Sequence, residues 1–197
     1  MTDLSFSAGA RHELTDVVEL FNYNNPLLLL LASAQMQAFD KVVGRVSQVH
    51  PALHPVYKQK PVLVEEESAP SATKKIFEDI KRTLAVPVVN TDYRALARWP
   101  DFLHDYWAVL KGVAQSPLYK EHCQALRASA MALVQEFPQP FELTVAQLQD
   151  AGLSDEEVEA AVRITEVFVR LLSGLVLNLA VAKIGLEGGN SAARSAA

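Results

Sequence analysis

The sequence predicts an all-α protein, a single-domain helical bundle of about seven to eight helices. Apolar residues recur at helical spacing through most of the chain. Prolines and capping residues mark successive helix starts, and no alternating strand pattern longer than four residues occurs. The 197 residues fit one domain with a core of its own, and a 50% hydrophobic, 21% charged composition excludes disorder for the chain as a whole. No repeat at solenoid spacing is present.

Asn25-Pro26 reads as the first helix start, since Asn caps and Pro suits the first helical position. The run from Leu27 continues with few breakers to Gly44. Val49 to Pro61, with its prolines and histidines, reads as a loop. Pro70 opens a helix to Leu84 with Ile76, Phe77, Ile80 and Leu84 on one face. After Pro87 a short extended stretch reaches Val89, and Asn90 or Thr91 caps a brief helix from Asp92 to Arg98. Pro100 restarts the chain into a helix burying Phe102, Leu103, Tyr106, Trp107 and Leu110. Ser116-Pro117 begins the next, which runs to about Phe137. Thr144 caps a short helix closed by Gly152, and Ser154 with Glu157 forms a capping box for the last helix. That helix is expected to stop near Leu186 at Gly188-Gly189. The domain boundaries follow: residues 1–187 as the helical domain, 188–197 as a flexible tail.

A net charge of −5 argues against nucleic acid. Cys123, alone, forms no internal disulfide, so a reducing, cytoplasmic setting is the simpler expectation. The five leucines after Pro26 fall short of the about 20 apolar residues of a membrane span, and Leu171 to Ala182 is bounded by Arg170 and Lys183 and holds Asn178. Both read as core helices, with no membrane partner. His50 and His54 are kept off a common helical face by Pro51 and Pro55, and no other metal motif occurs, so neither metal nor cofactor is expected.

The stretch Asn90-Thr91-Asp92-Tyr93-Arg94 is the chemical candidate. Its plain reading is a capped helix start with an acid that suits the helix dipole. The functional reading uses the same geometry: free amides hold a substrate carboxylate while Asp92 acts on a water as general base. Asn178 stands in an apolar helix and must find hydrogen bonds, because leaving a buried amide unpaired costs about 1–3 kcal/mol. A second copy or a held water would supply them.

Val86 to Leu103, with its Asn90-Thr91-Asp92 and Trp99-Pro100-Asp101-Phe102, resembles the core stretch of the group I, DehI-type, 2-haloacid dehalogenases. Asn24-Asn25-Pro26 with the leucine run, and Leu175 to Ala180 with Lys183-Ile184, resemble that family's lead-in and closing helices. The resemblance implies an all-helical hydrolase of short 2-halocarboxylic acids. An Asp-activated water attacks C2 directly, inverts it and releases halide without a cofactor. It implies Asp92 and Asn178 as catalytic residues and Asn90, Thr91, Trp99, Phe102, Phe168 and Leu172 as substrate contacts, Asn90 at a position linked to enantiomer choice. Family members carry two helical units in a longer chain, and this chain is equivalent to one. The resemblance therefore implies a homodimer in which Asp92 faces Asn178, Trp99 and Phe102 of a second copy. The competing reading is a non-catalytic helical module that binds a small apolar carboxylic acid.

Overall fold

The computed structural model describes residues 6–44, 60–138 and 140–195. Seven α-helices occur among them: α1 (Ala8–Ala38), α2 (Ser71–Leu84), α3 (Thr91–Leu96), α4 (Pro100–Ala114), α5 (Pro117–Leu133), α6 (Val145–Asp150) and α7 (Asp155–Ser195). A 3-10 turn, Val134–Glu136, extends α5. The only β pairing among the described residues is an isolated antiparallel bridge between Val43 and Phe141. The all-α expectation holds, and His50 and His54 lie outside the described residues.

The first helix corrects the sequence reading. α1 begins at Ala8, where the Ser7 hydroxyl accepts the Ala10 N–H, and it runs through Pro26 to Ala38. Asn25 is no cap; it is 2% exposed inside the helix. Proline offers no N–H to the Asn22 carbonyl and crowds the preceding turn. Yet Leu14, Val18, Phe21, Asn25, Leu29 and Ala32 form one buried stripe at three- and four-residue spacing on both sides of it. Burial along the whole stripe outweighs the break. The last helix differs in the same sense: the α7 backbone continues past Gly188 and Gly189 to Ser195.

Other local readings survive. α4 buries Phe102, Leu103, Tyr106, Trp107 and Leu110, the expected face. Thr144 makes a full capping box with Gln147 at the start of α6. The Glu157 carboxylate accepts the Ser154 N–H at 2.9 Å while the Ser154 hydroxyl accepts the Glu157 N–H. α3 is one residue earlier and shorter than expected, closing at Leu96.

The chain divides into two compact units, with the divisions falling inside α1 and α7. The first comprises residues 1–22, 57–120 and 178–197; the second, 23–56 and 121–177. In the first, α4 packs on α2 and α3. Asp79 of α2 ties the pair together, accepting the Trp107 indole N–H at 2.9 Å and the Lys111 ammonium at 2.8 Å. The Lys111 bond, then those from Trp107 and Arg82, hold its carboxyl far below the ordinary range. In the second unit Ala34, Ala38, Val43 and Val134 form a core against which Leu30, Phe137 and Phe141 pack. Asp155–Gly188 of α7 is by length and composition able to cross a bilayer, but 39% of its most apolar window is buried in the protein.

Candidate active site

The first unit positions the candidate carboxylate with a strap. Residues 60–70 run beside α3, and the Val64 N–H donates to the Arg94 carbonyl at 3.0 Å while Arg94 Nε donates to the Val64 carbonyl at 3.2 Å. Arg94 also pairs with Glu65. Glu66 accepts the Val89 N–H at 2.9 Å and the Lys81 ammonium at 3.1 Å. The Val89 bond lowers the Glu66 pKa against the opposing pull of burial, and Lys81 adds to it. The approach to α3 is thus fixed on both sides of Asn90.

Asn90 occupies the N-cap of α3, but its side chain makes no cap bond, and its Oδ1 is buried without a partner. The predicted cap is therefore positional only. Thr91 is exposed. Asp92 is 3% exposed, in the first turn of α3. Such a carboxylate survives as an anion only where polar groups replace water. Its charge acts on the hydroxyls of Tyr93 and Tyr106. Burial first, then the proximity of Tyr119 and Asp92, pushes the Tyr93 hydroxyl well above its usual pKa. Burial, Tyr93 and Asp92 do the same to Tyr106. Both phenols stay protonated through the neutral range and serve as neutral hydrogen-bonding groups.

Asn178 closes the cluster from α7. Its Nδ2 donates to the Tyr93 hydroxyl at 2.7 Å, its Oδ1 accepts from the Tyr119 hydroxyl at 2.7 Å, and its main-chain carbonyl accepts from the Tyr106 hydroxyl at 2.7 Å. The buried amide does need partners, as its sequence setting implies, but three tyrosines of the same unit supply them. A second copy is not required for its hydrogen bonds.

Of the aromatic candidates, Phe102 meets this cluster. Phe102 is fully buried and stacks on Tyr106, rings 5.7 Å apart and nearly parallel. Tyr93 stacks on Tyr106 at 6.4 Å and meets Trp107 edge-on at 6.1 Å. Trp99, the N-cap of α4, is buried with the Arg98 guanidinium 4.8 Å over its ring. Phe168 and Leu172 belong to the second unit, where Leu172 is buried and Phe168 is 42% exposed. A surface groove of about 440 Å³ lined by Val145, Gln149, Asp155, Val158, Glu159, Val162 and Arg163 also lies in the second unit and contains none of the candidates. Among the described residues no group of three or more His, Cys, Asp or Glu is placed to hold a metal ion.

The structure thus places Asp92 and Asn178 in one unit and surrounds Asn178 with tyrosines that sequence reasoning missed as site residues. The usable signal was their chemistry: a tyrosine on a buried face carries a hydroxyl that must bond to something.

No protein-family model matches the chain. It is 29% identical over 187 residues to an (R)-2-haloacid dehalogenase of Pseudomonas putida, across 91% of this chain and 62% of that protein. It is 34% identical over 147 residues to an (R)-2-haloacid dehalogenase of Rhizobium sp. (strain NHG3), across 73% of this chain and 57% of the relative. Among solved structures, a D-2-haloacid dehalogenase in complex with L-LA superposes with a TM-score of 0.86 at 29% identity, over 93% of this chain and 65% of the other. A mutant of a D-2-haloacid dehalogenase with D-2-CPA gives 0.85 at 29% identity. The chain spans less than two thirds of the length of each of these relatives. It is a relative of the (R)-2-haloacid dehalogenases at modest identity, and its fold is the helical fold of the D-2-haloacid dehalogenases.

Proposed function

We propose that the protein is a cofactor-free hydrolase of short 2-halocarboxylic acids. Asp92 takes a proton from water as the water oxygen forms a bond to C2 on the face opposite the halogen. The carbon–halogen bond breaks, the halide leaves with the bonding electron pair, and C2 is inverted. Asn178 holds the water beside Asp92. Its second N–H and the remaining lone pair on Oδ1 match the acceptor and donor sides of one water molecule. Asn90 and Thr91, beside the carboxylate, and Trp99 and Phe102, on the aromatic side, are the proposed substrate contacts. Phe168 and Leu172 belong to the other unit.

The observation that carries this reading is a nearly fully buried carboxylate whose charge acts on two neutral tyrosines, one of them bonded to the buried Asn178 amide. A structural acid at a helix start is ordinarily wet, whereas a general base gains from a site that excludes bulk water. The likeness to the (R)-2-haloacid dehalogenases adds the substrate class. A homodimer in a cytoplasmic setting belongs to the same reading.

The test is halide release from D- and L-2-chloropropionate by the purified chain. Turnover of either enantiomer is expected, with Asp92→Asn lowering it by about a thousandfold while the variant stays folded. No halide release from either enantiomer by the wild type, with a substrate analogue still bound, would instead mark a binding module.

A further inference from the structure

We propose that Tyr119 is a positioning residue that locks the Asn178 carboxamide in one orientation, an inference that rests on the dehalogenase reading for its effect on turnover. Exchanging O and N by a half-turn about the last side-chain bond barely changes an asparagine's shape, so only its hydrogen-bond partners decide which orientation is populated. Here the partners are two phenols, each able to donate or accept. Alone they would not choose.

The choice is imposed by groups that only accept. Tyr106 has one hydroxyl proton, and it goes to the Asn178 main-chain carbonyl, which cannot donate. Tyr93 lies in the field of the Asp92 carboxylate, another acceptor-only group, and next to a Tyr106 oxygen whose proton is already committed. Its own proton is therefore best used on that side. Towards Asn178 it accepts, and the group it accepts from is Nδ2 at 2.7 Å. Oδ1 is then turned to Tyr119, whose hydroxyl donates to it at 2.7 Å. Tyr119 is half-buried on α5, whereas Tyr93 and Tyr106 are buried completely. In this orientation one N–H and one Oδ1 lone pair remain for a water.

Tyr93 selects the orientation, but removing the Tyr119 hydroxyl leaves Oδ1 without its donor and the amide held from Nδ2 alone, so that it swings about the last side-chain bond. The full chain carrying Tyr119→Phe, which keeps the ring, tests this in two ways. Halide release from 2-chloropropionate should lose at least about tenfold in kcat with KM kept within about twofold, because a misoriented amide misplaces the water and not the substrate. Independently, the Asn178 carboxamide hydrogens, assigned by their loss in Asn178→Asp, should exchange slowly in the wild type and much faster in Tyr119→Phe by nitrogen-15 NMR. An unchanged kcat, an equal rise in KM, or exchange that does not respond to the substitution overturns the proposal. Absence of halide release from the wild type overturns the dehalogenase reading, and the exchange contrast then decides the role of Tyr119 by itself.

Discussion

The interiors of the two units are closed by different means. The first places a carboxylate, an amide and phenols in its centre, and Asn178 alone takes hydrogen bonds with Tyr93, Tyr106 and Tyr119 at 2.7 Å each. The second packs Ala34, Ala38, Val43 and Val134 against Leu30, Phe137 and Phe141, and makes its side-chain caps at helix starts, Thr144 with Gln147 and Ser154 with Glu157. Apolar packing is non-directional and tolerates small adjustments. A buried polar network is directional: satisfied, it fixes each group to one place, and unsatisfied, it costs more than an apolar core would. The second unit also buries Asn25, Ser33 and Ser173, so the difference lies in the linked phenol–amide network that the first unit adds.

The largest test of that contrast is core truncation. Phe102→Ala removes the ring stacked on Tyr106 and should cost about 3–5 kcal/mol, while Val134→Ala, which removes two methyl-sized groups, should cost roughly 2 kcal/mol. Denaturant unfolding of the two variants checks this. Equal losses would mean that the aromatic stack is no more demanding than the aliphatic core.

A smaller effect is expected from acid. Asp79 has a folded-state pKa well below its unfolded value near 4, so its contribution is full above that value and is lost as the pH falls below it toward the folded pKa. Asp79→Asn should lower the melting temperature at pH 7 and flatten its decline between about pH 5 and pH 2. Melting curves across that range decide it; a decline as steep as the wild type's would assign the acid sensitivity to other carboxylates.

The smallest effect belongs to the second unit's edge. Thr144→Ala removes the hydroxyl that accepts the Gln147 N–H and should cost about 1 kcal/mol, read by the shift of the denaturant midpoint. A loss as large as that of Phe102→Ala would show that α6 is more tightly coupled to the second core than its exposed cap suggests.

Features that depend on neighbours a few residues away were legible in the sequence. The capping boxes at Thr144 and Ser154, the proline that opens α4 and its buried face of Phe102, Leu103, Tyr106, Trp107 and Leu110 needed only local spacing. Asp92 was also legible as a candidate, from its place at a helix start and from the resemblance of Val86 to Leu103 to a known core stretch. Pro26 misled because its local signal is real. The penalty of an interior proline is local, whereas the buried stripe from Leu14 to Ala32 that offsets it is a property of the packed protein.

By itself, then, the sequence determined an all-helical chain, the faces those helices bury and a carboxylate worth testing, because helix periodicity and capping are written within a few residues. Only the tertiary structure decided that Asn178 would be satisfied by Tyr93, Tyr106 and Tyr119 and that Asp92 would be buried out of water. Those partners are separated by up to 85 residues along the chain, and which hydroxyl meets which amide is set by the packing of α3, α4, α5 and α7, for which local spacing carries no code.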